Sequence, residues 1–310
     1  MEIKPLVKLL AHSSDREERK KGFAEVVKQL ENKELNLEPE YLRKVFEGIY
    51  FCLWHADKPS YQEELSRQIS QLLRLVPALP DKLTFVRILY RTLSEHWDTI
   101  DGYRIEKFLM LVGFIHAEVI HVIIGAAHAL EVIEKFMKII FDELLTGKSV
   151  PLGIAMHLAD VHLREVHRCF VEFDAFKLKQ PEIEAMIQPF LECLRKTENR
   201  QLFNRIHEKV FLQLIESNGP DSNEDSELNF ACFDIVPFAE NTLYKAASAA
   251  DTRELNRDTL YKLYEKASGT EEQIPEGIPY AEKMQALRAQ YAVKTKHARK
   301  MLQWKKLKTE

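Results

Sequence analysis

Apolar residues recur three and four positions apart through most of the chain. In EYLRKVFEGIYFCLWH, residues 40–55, the positions Leu42, Val45, Phe46, Ile49, Tyr50 and Leu53 share one wide helical face, and Phe51 and Trp54 add side chains outside it. This helix is predicted to be largely surrounded by protein. The same spacing predicts helices at about 58–76, 82–97, 101–123, 126–145, 152–170, 181–196 and 199–217. Upstream, SSDREERKKGFAEVVKQL sets Ser14 three residues before Glu17, a capping-box spacing, and leads into Phe23, Val26, Val27 and Leu30. VPFAENTLYKAAS and TRELNRDTLYKLYEKAS read as one more helical pair. No strand-like alternation of useful length competes with this pattern.

The breaks are as regular as the helices. In HADKP, residues 55–59, Asp57 is expected to accept from the free N–H groups of a new helix and Pro59 to occupy its first turn, which makes a tight corner. Pro77, Pro80, Gly147, Pro151 and Pro181 are expected in the gaps. NGPDSNEDSELN, residues 218–229, holds four acids and one apolar residue, Leu228, and reads as a mobile surface loop. The expected fold class is all-α: stacked antiparallel helices forming a HEAT-like α-solenoid, without a clean sequence repeat, and with a basic C-terminal helical tail. The expected division is a helical domain over 1–268, then a linker and basic helix over 269–310.

Composition agrees. The 310 residues include only 10 glycines and 12 prolines, and 30% are charged. No run of about 18 uncharged apolar residues appears, so no membrane span is expected; FLMLVGFIHAEVIHVIIGAAHAL is interrupted by Glu118 and reads as a core helix. Cys52, Cys169, Cys193 and Cys232 are widely separated, with no zinc spacing, and the N-terminus lacks the pattern of a signal peptide. A reducing, intracellular setting is the expectation.

Charge changes the picture at one end. The net charge is −4, yet residues 283–310 carry nine Lys or Arg and one acid, Glu310. Tyr280, Met284, Leu287 and Tyr291 lie at helical spacing, so the first half of this tail is suited to docking and the second to presenting charge. In KTKHARKMLQWKKLK, the cations Lys294, Lys296, Arg299, Lys300, Lys305, Lys306 and Lys308 suit nuclear import or phosphate contact, and Trp304 suits stacking on a base. A solvated, frayed helix is the bland alternative.

Candidate chemistry is otherwise sparse. His157, Asp160, Arg164 and His167 share a helical face, as do His121 and His128, but Arg164 would oppose a cation, and packed histidines are the preferred reading. Asp98 and Asp101 are better read as helix caps than as an acid–base pair. No nucleotide-binding, hydrolase, metalloprotease or kinase motif is present, so no catalytic residue, cofactor or small-molecule substrate is expected.

FEGIYFCLWHADKPSYQEELSRQI, through Gly48, Tyr50, Phe51, Cys52, Trp54, Asp57, Lys58 and Pro59, resembles the signature of the nucleolar ribosomal-RNA-processing protein family, the first of the eukaryotic rRNA-processing proteins. The resemblance continues in order through Phe85, Thr92, Trp97, Ile100, Asp101, Arg104, Lys107 and Phe108, with His96 and Glu106 as departures. It extends to Pro151, Gly153, His157, Asp160 and Glu165 and closes on NRDTLY. It implies a non-enzymatic nucleolar assembly factor of the large (60S) subunit, with pre-60S assembly factors and pre-rRNA as partners. Lys58, Arg104, Lys107 and Arg164 are then candidates to reach phosphate or an acidic partner. A cytoplasmic helical-repeat adaptor that binds only proteins is the competing expectation.

Overall fold

A computed structural model of the chain describes residues 3–12, 15–125, 130–146, 150–172, 179–219, 228, 230 and 233–269. Every regular element among them is helical. Helix α1 (Ile3–Val7) runs into a π-helical turn at Lys8–His12, followed by α2 (Arg16–Glu31), α3 (Pro39–Trp54), α4 (Pro59–Leu75) and α5 (Leu79–His96). A 3-10 turn at Trp97–Thr99 leads to α6 (Ile105–Gly125) and α7 (Leu130–Ile140), which continues as a π turn over Phe141–Leu145. Then come α8 (Leu152–Glu172), α9 (Gln180–Lys196), α10 (Arg200–Ile206) and α11 (Gln213–Asn218), the last two joined through a π turn at His207–Leu212. The π turn Ala239–Leu243 likewise joins α12 (Ile235–Phe238) to α13 (Tyr244–Ser248), and α14 (Glu254–Ser268) closes the described body.

Helix starts follow local chemistry, with corrections to the sequence reading. Prolines open α3, α4, α5 and α9, where a missing N–H costs nothing. Pro80 and Pro181 therefore lie inside first turns and not in gaps. Asp57 does not cap α4: Lys58 holds the N-cap position without a side-chain bond, and Asp57 is exposed. For α2 the cap is Asp15, which accepts from the Glu17 N–H at 2.8 Å; Ser14 lies outside the described residues. Asp101 does cap the turn into α6, accepting from the N–H groups of Tyr103 at 3.0 Å and Arg104 at 3.1 Å. Gly269 ends α14 with φ 68°, the left-handed conformation that glycine adopts without a Cβ clash.

From α2 to α8, each helix packs against the helix two places further along. One row runs α3, α5, α7, α9 and then α13; the other runs α2, α4, α6, α8 and α10. A continuous apolar core lies between and along the rows, with contacts such as the edge-to-face pair Phe46–Phe85 at 4.8 Å between α3 and α5. Two glycines of the sequence signature act through close approach. A Cβ at Gly48 would stand 3.0 Å from Leu10, and one at Gly153 would stand 3.3 Å from the Trp97 ring. Helix α6 is long and apolar enough to cross a membrane by length and composition. In the fold it is the central helix of its row, with α4 and α8 against it and Glu118 tied to Arg74 at 2.6 Å.

Candidate functional site

The corner at residues 55–59 is held by groups distant in sequence. Lys107, from the first turn of α6, donates to the carbonyls of Trp54 at 2.7 Å and Ala56 at 2.8 Å, acceptors left free where α3 ends. Gln62 also donates to Ala56, at 2.8 Å, and Arg19 reaches the His55 carbonyl at 3.4 Å. Arg104 pairs with Asp101 and lays its guanidinium over the Trp54 ring, 4.6 Å from the centroid. Tyr50 is sandwiched between Phe108 at 4.7 Å and His96 at 4.8 Å. Burial first, and then the neighbouring Arg104 charge, lower the Lys107 ammonium to about 8. Burial and the surrounding cations also hold the His55 imidazole below its ordinary value.

The candidate contact residues separate into three groups. Lys107 is only 4% exposed and its ammonium is engaged by carbonyls, so its assignment to RNA or partner contact is corrected to helix termination. Arg104 is partly exposed as the lid on Trp54, and Trp54 itself is half-buried and not enclosed. Lys58 is exposed at the N-cap of α4, and Tyr103 projects at 99% exposure. Lys294, Lys296, Arg299, Lys300, Trp304, Lys305, Lys306 and Lys308 lie outside the described residues.

Sequence reasoning missed a second polar surface. A groove of about 500 Å³ across α4, α6 and α8 brings together Arg67, Arg74, Arg164 and Arg168 with Glu118, Glu165 and Glu172. Arg67 stacks on Phe114 at 4.6 Å, and Arg168 bridges Glu165 at 2.9 Å and Glu172 at 2.8 Å. The signal was legible in the spacing: Arg67 and Arg74 lie seven apart on one helix, and Arg164 and Arg168 four apart on another.

The histidines do not assemble as the shared-face pattern suggested. Asp160 pairs with Arg205 at 3.3 Å, while burial keeps the half-buried His157 imidazole low; His128 is outside the described residues. His121 instead approaches Cys169 and Glu172, with ligand atoms all within 4.8 Å of one another. Arg168 stands in that cluster, 3.7 Å from the Cys169 sulfur and bonded to Glu172, so a guanidinium already supplies the positive charge. Burial pushes the Cys169 thiol up to about 11, which also disfavours a metal-binding thiolate. Deeper in the core, His116 and His162 share one 3.0 Å hydrogen bond, and burial drives His162 down to about 3.

What the geometry defines is a helical stack with charged grooves and interlocked corners, in which polar groups such as Lys107 and Asn256 tie helix ends together. The chain matches the family described as Nucleolar protein, Nop52, over residues 1–285, and it belongs to that family. It is 28% identical over 272 residues to the ribosomal RNA processing protein 1 homolog of Dictyostelium discoideum, covering 76% of this chain and 53% of the relative. It is 27% identical over 179 residues to homolog A of Mus musculus, covering 57% of this chain and 35% of that protein. Homolog A of Homo sapiens is 28% identical over 176 residues, covering 56% and 37%. The chain thus spans about half, or less, of the length of these relatives.

Proposed function

We propose that this chain is a non-catalytic nucleolar assembly factor that acts in pre-rRNA processing and large-subunit (60S) biogenesis, holding pre-60S assembly proteins and pre-rRNA on one helical scaffold. The observation that carries this reading is the family match over residues 1–285, which takes in the whole described body. The names of the relatives, ribosomal RNA processing proteins, supply the process. The alternation of α3, α5, α7 and α9 with α4, α6, α8 and α10 in two rows supports a HEAT-like solenoid, an architecture that offers extended surfaces without a catalytic centre. The body over 1–268 is the scaffold, and the segment over 269–310 is the basic arm.

Lys58, Arg104 and the tail cations Lys294 to Lys308 are the proposed contacts to RNA or an acidic partner. Crosslinking in cells, followed by sequencing of bound RNA and identification of linked proteins, tests the reading. Pre-rRNA reads and large-subunit assembly proteins are the expected result. A cytoplasmic distribution with only protein crosslinks would sink it in favour of an adaptor. The tail's share is read from a salt series on protein lacking residues 294–310. Each phosphate that the shortened protein no longer neutralises lowers the slope of log affinity against log salt by about 0.7–0.9, and equal slopes would remove the tail from the RNA interface.

A further inference from the structure

One face of α6 is left partly uncovered by its neighbours. Met110, Gly113, Phe114, Ala117 and His121 fall three or four residues apart on it, along the groove of about 500 Å³ that α4 and α8 wall in. From Met110 to His121 this floor runs about 16 Å, three turns of helix. Gly113 and Ala117 carry almost no side chain, so the floor stays low between its walls.

The walls are arginines, Arg67 and Arg74 on α4 and Arg164 and Arg168 on α8. Acids are nearly as many, but they do not face solvent equally. The four arginine side chains keep between 48% and 66% of their area exposed, whereas their partners Glu118 and Glu165 keep 10% and 15%. Glu172 is exposed but is bonded by Arg168 at 2.8 Å, and Glu63, outside the lining, takes Arg67 at 2.9 Å. Two guanidiniums retain donors. Glu118 holds Arg74 through Nε and Nη2, and the Arg74 Nη1 has no acceptor among the described residues. Arg164, the most exposed of the four, approaches only Glu165, at 3.6 Å.

We infer that this groove docks an acidic amphipathic segment of a partner protein, with the segment's apolar stripe on α6 and its carboxylates against the guanidiniums of α4 and α8. An amphipathic helix laid in a groove reads as apolar anchors three and four residues apart, and the floor presents the matching spacing. Planar guanidiniums with open N–H groups pair carboxylates well. A nucleic-acid backbone would use the arginines but leave the apolar floor uncovered, and Arg67 already lies over the Phe114 ring at 4.6 Å, where a base would stack.

The inference goes beyond the assembly-factor reading, which places its contacts at Lys58, Arg104 and the tail. It assigns a separate face of the body and the chemistry of the segment that this face takes.

The test places a photo-activatable benzophenone amino acid at Met110 of the full chain, in cells, and maps the linked segment by mass spectrometry. The expected product is a peptide with apolar residues three and four apart and Asp or Glu on both flanks. That peptide, synthesised, should bind the purified full chain, and Arg67→Ala combined with Arg164→Ala should weaken it about tenfold, the sum of two exposed ion pairs. Both arginines are exposed, so the double variant should unfold at the wild-type midpoint. Ala117→Trp, which fills the floor from a partly exposed position, should weaken the peptide with its salt dependence unchanged, whereas the arginine variant should flatten that dependence. A linked segment that is basic or lacks the stripe, RNA in place of protein at Met110, no link from Met110, or equal binding by wild type and the double variant would overturn the inference. The two readings fail separately. An acidic segment from a protein outside ribosome assembly defeats the assembly-factor reading and leaves the groove. Large-subunit assembly proteins recovered with the whole chain, but nothing linked at Met110, defeat the groove and leave that reading.

Discussion

Two corners of this molecule solve one problem with different chemistry. Where α3 ends, the free carbonyls of Trp54 and Ala56 are met by the buried ammonium of Lys107. Where α9 ends, the carbonyls of Leu194, Arg195 and Thr197 are met by the buried amide of Asn256, at 3.0, 3.3 and 3.0 Å. Helix C-termini leave acceptors that must find donors when they are buried, and both donors arrive from the start of a later helix. The difference lies in charge. An ammonium brings a desolvation cost and a titration; an amide brings neither. The first corner is therefore electrostatically tuned by its neighbours, and the second is indifferent to them.

The largest effect is expected at the neutral corner. Asn256→Leu strips the Leu194 and Thr197 carbonyls of their donor, while the Arg195 carbonyl keeps the Arg253 N–H at 3.1 Å, and at about 1–3 kcal/mol for each buried group left unpaired the loss should reach about 2 kcal/mol or more. Lys107→Met removes two bonds, but Ala56 keeps Gln62 and a desolvated charge disappears, so about 1–2 kcal/mol is expected. Denaturant midpoints at constant slope measure both. A costlier lysine variant would reverse the comparison.

Trp54→Ala should cost about 1–3 kcal/mol, below the 3–5 kcal/mol typical of a fully buried aromatic, because Trp54 is half-buried and roofed by Arg104. Tyr50→Ala, enclosed between two rings, provides the fully buried reference in the same unfolding experiment.

The alkaline arm separates the corners by sign. Lys107 titrates near 8 in the folded protein and near 10.5 when unfolded, so between these values the unfolded chain holds more protons. The penalty on the folded ammonium is complete below pH 8 and is relieved as pH rises through the window. Wild type and Asn256→Leu should share this upward contribution to stability, and Lys107→Met should lack it. Unfolding at several pH values between 8 and 10.5 reads the contribution as the wild type's slope minus that of Lys107→Met. An identical pH slope in the lysine variant would show that its ammonium is not desolvated.

Smallest of all, Lys58→Ala should leave stability within about 0.5 kcal/mol, since Lys58 is exposed and makes no side-chain cap bond. A larger loss would show that the residue takes part in closing the corner, which is not its role in this structure.

The helices were legible along the chain because apolar spacing and helix-breaking residues are local properties. The periodicity located α3 through α9, Pro59 marked the start of α4, and Asp101 was recognisable as a cap from its place before an apolar run. The same locality explains the errors. Asp57 has the right side chain for a cap, but the chain takes Lys58 as the N-cap, and Pro59 with the donors Lys107 and Gln62 closes the corner. The arginine groove on α4, α6 and α8 hid because its members lie about one hundred residues apart, although each pair has a same-face spacing.

Sequence alone determined that this is an all-helical chain with an opposed basic end and no recognisable catalytic motif, because composition and period act over a few residues at a time. Tertiary structure decided which charges are available. Lys107 and Lys58 are both lysines of one signature; one is buried against carbonyls 51 and 53 residues away, and the other faces solvent. A lysine's role depends on whether water or backbone surrounds its ammonium, and that is fixed only when distant helices pack together.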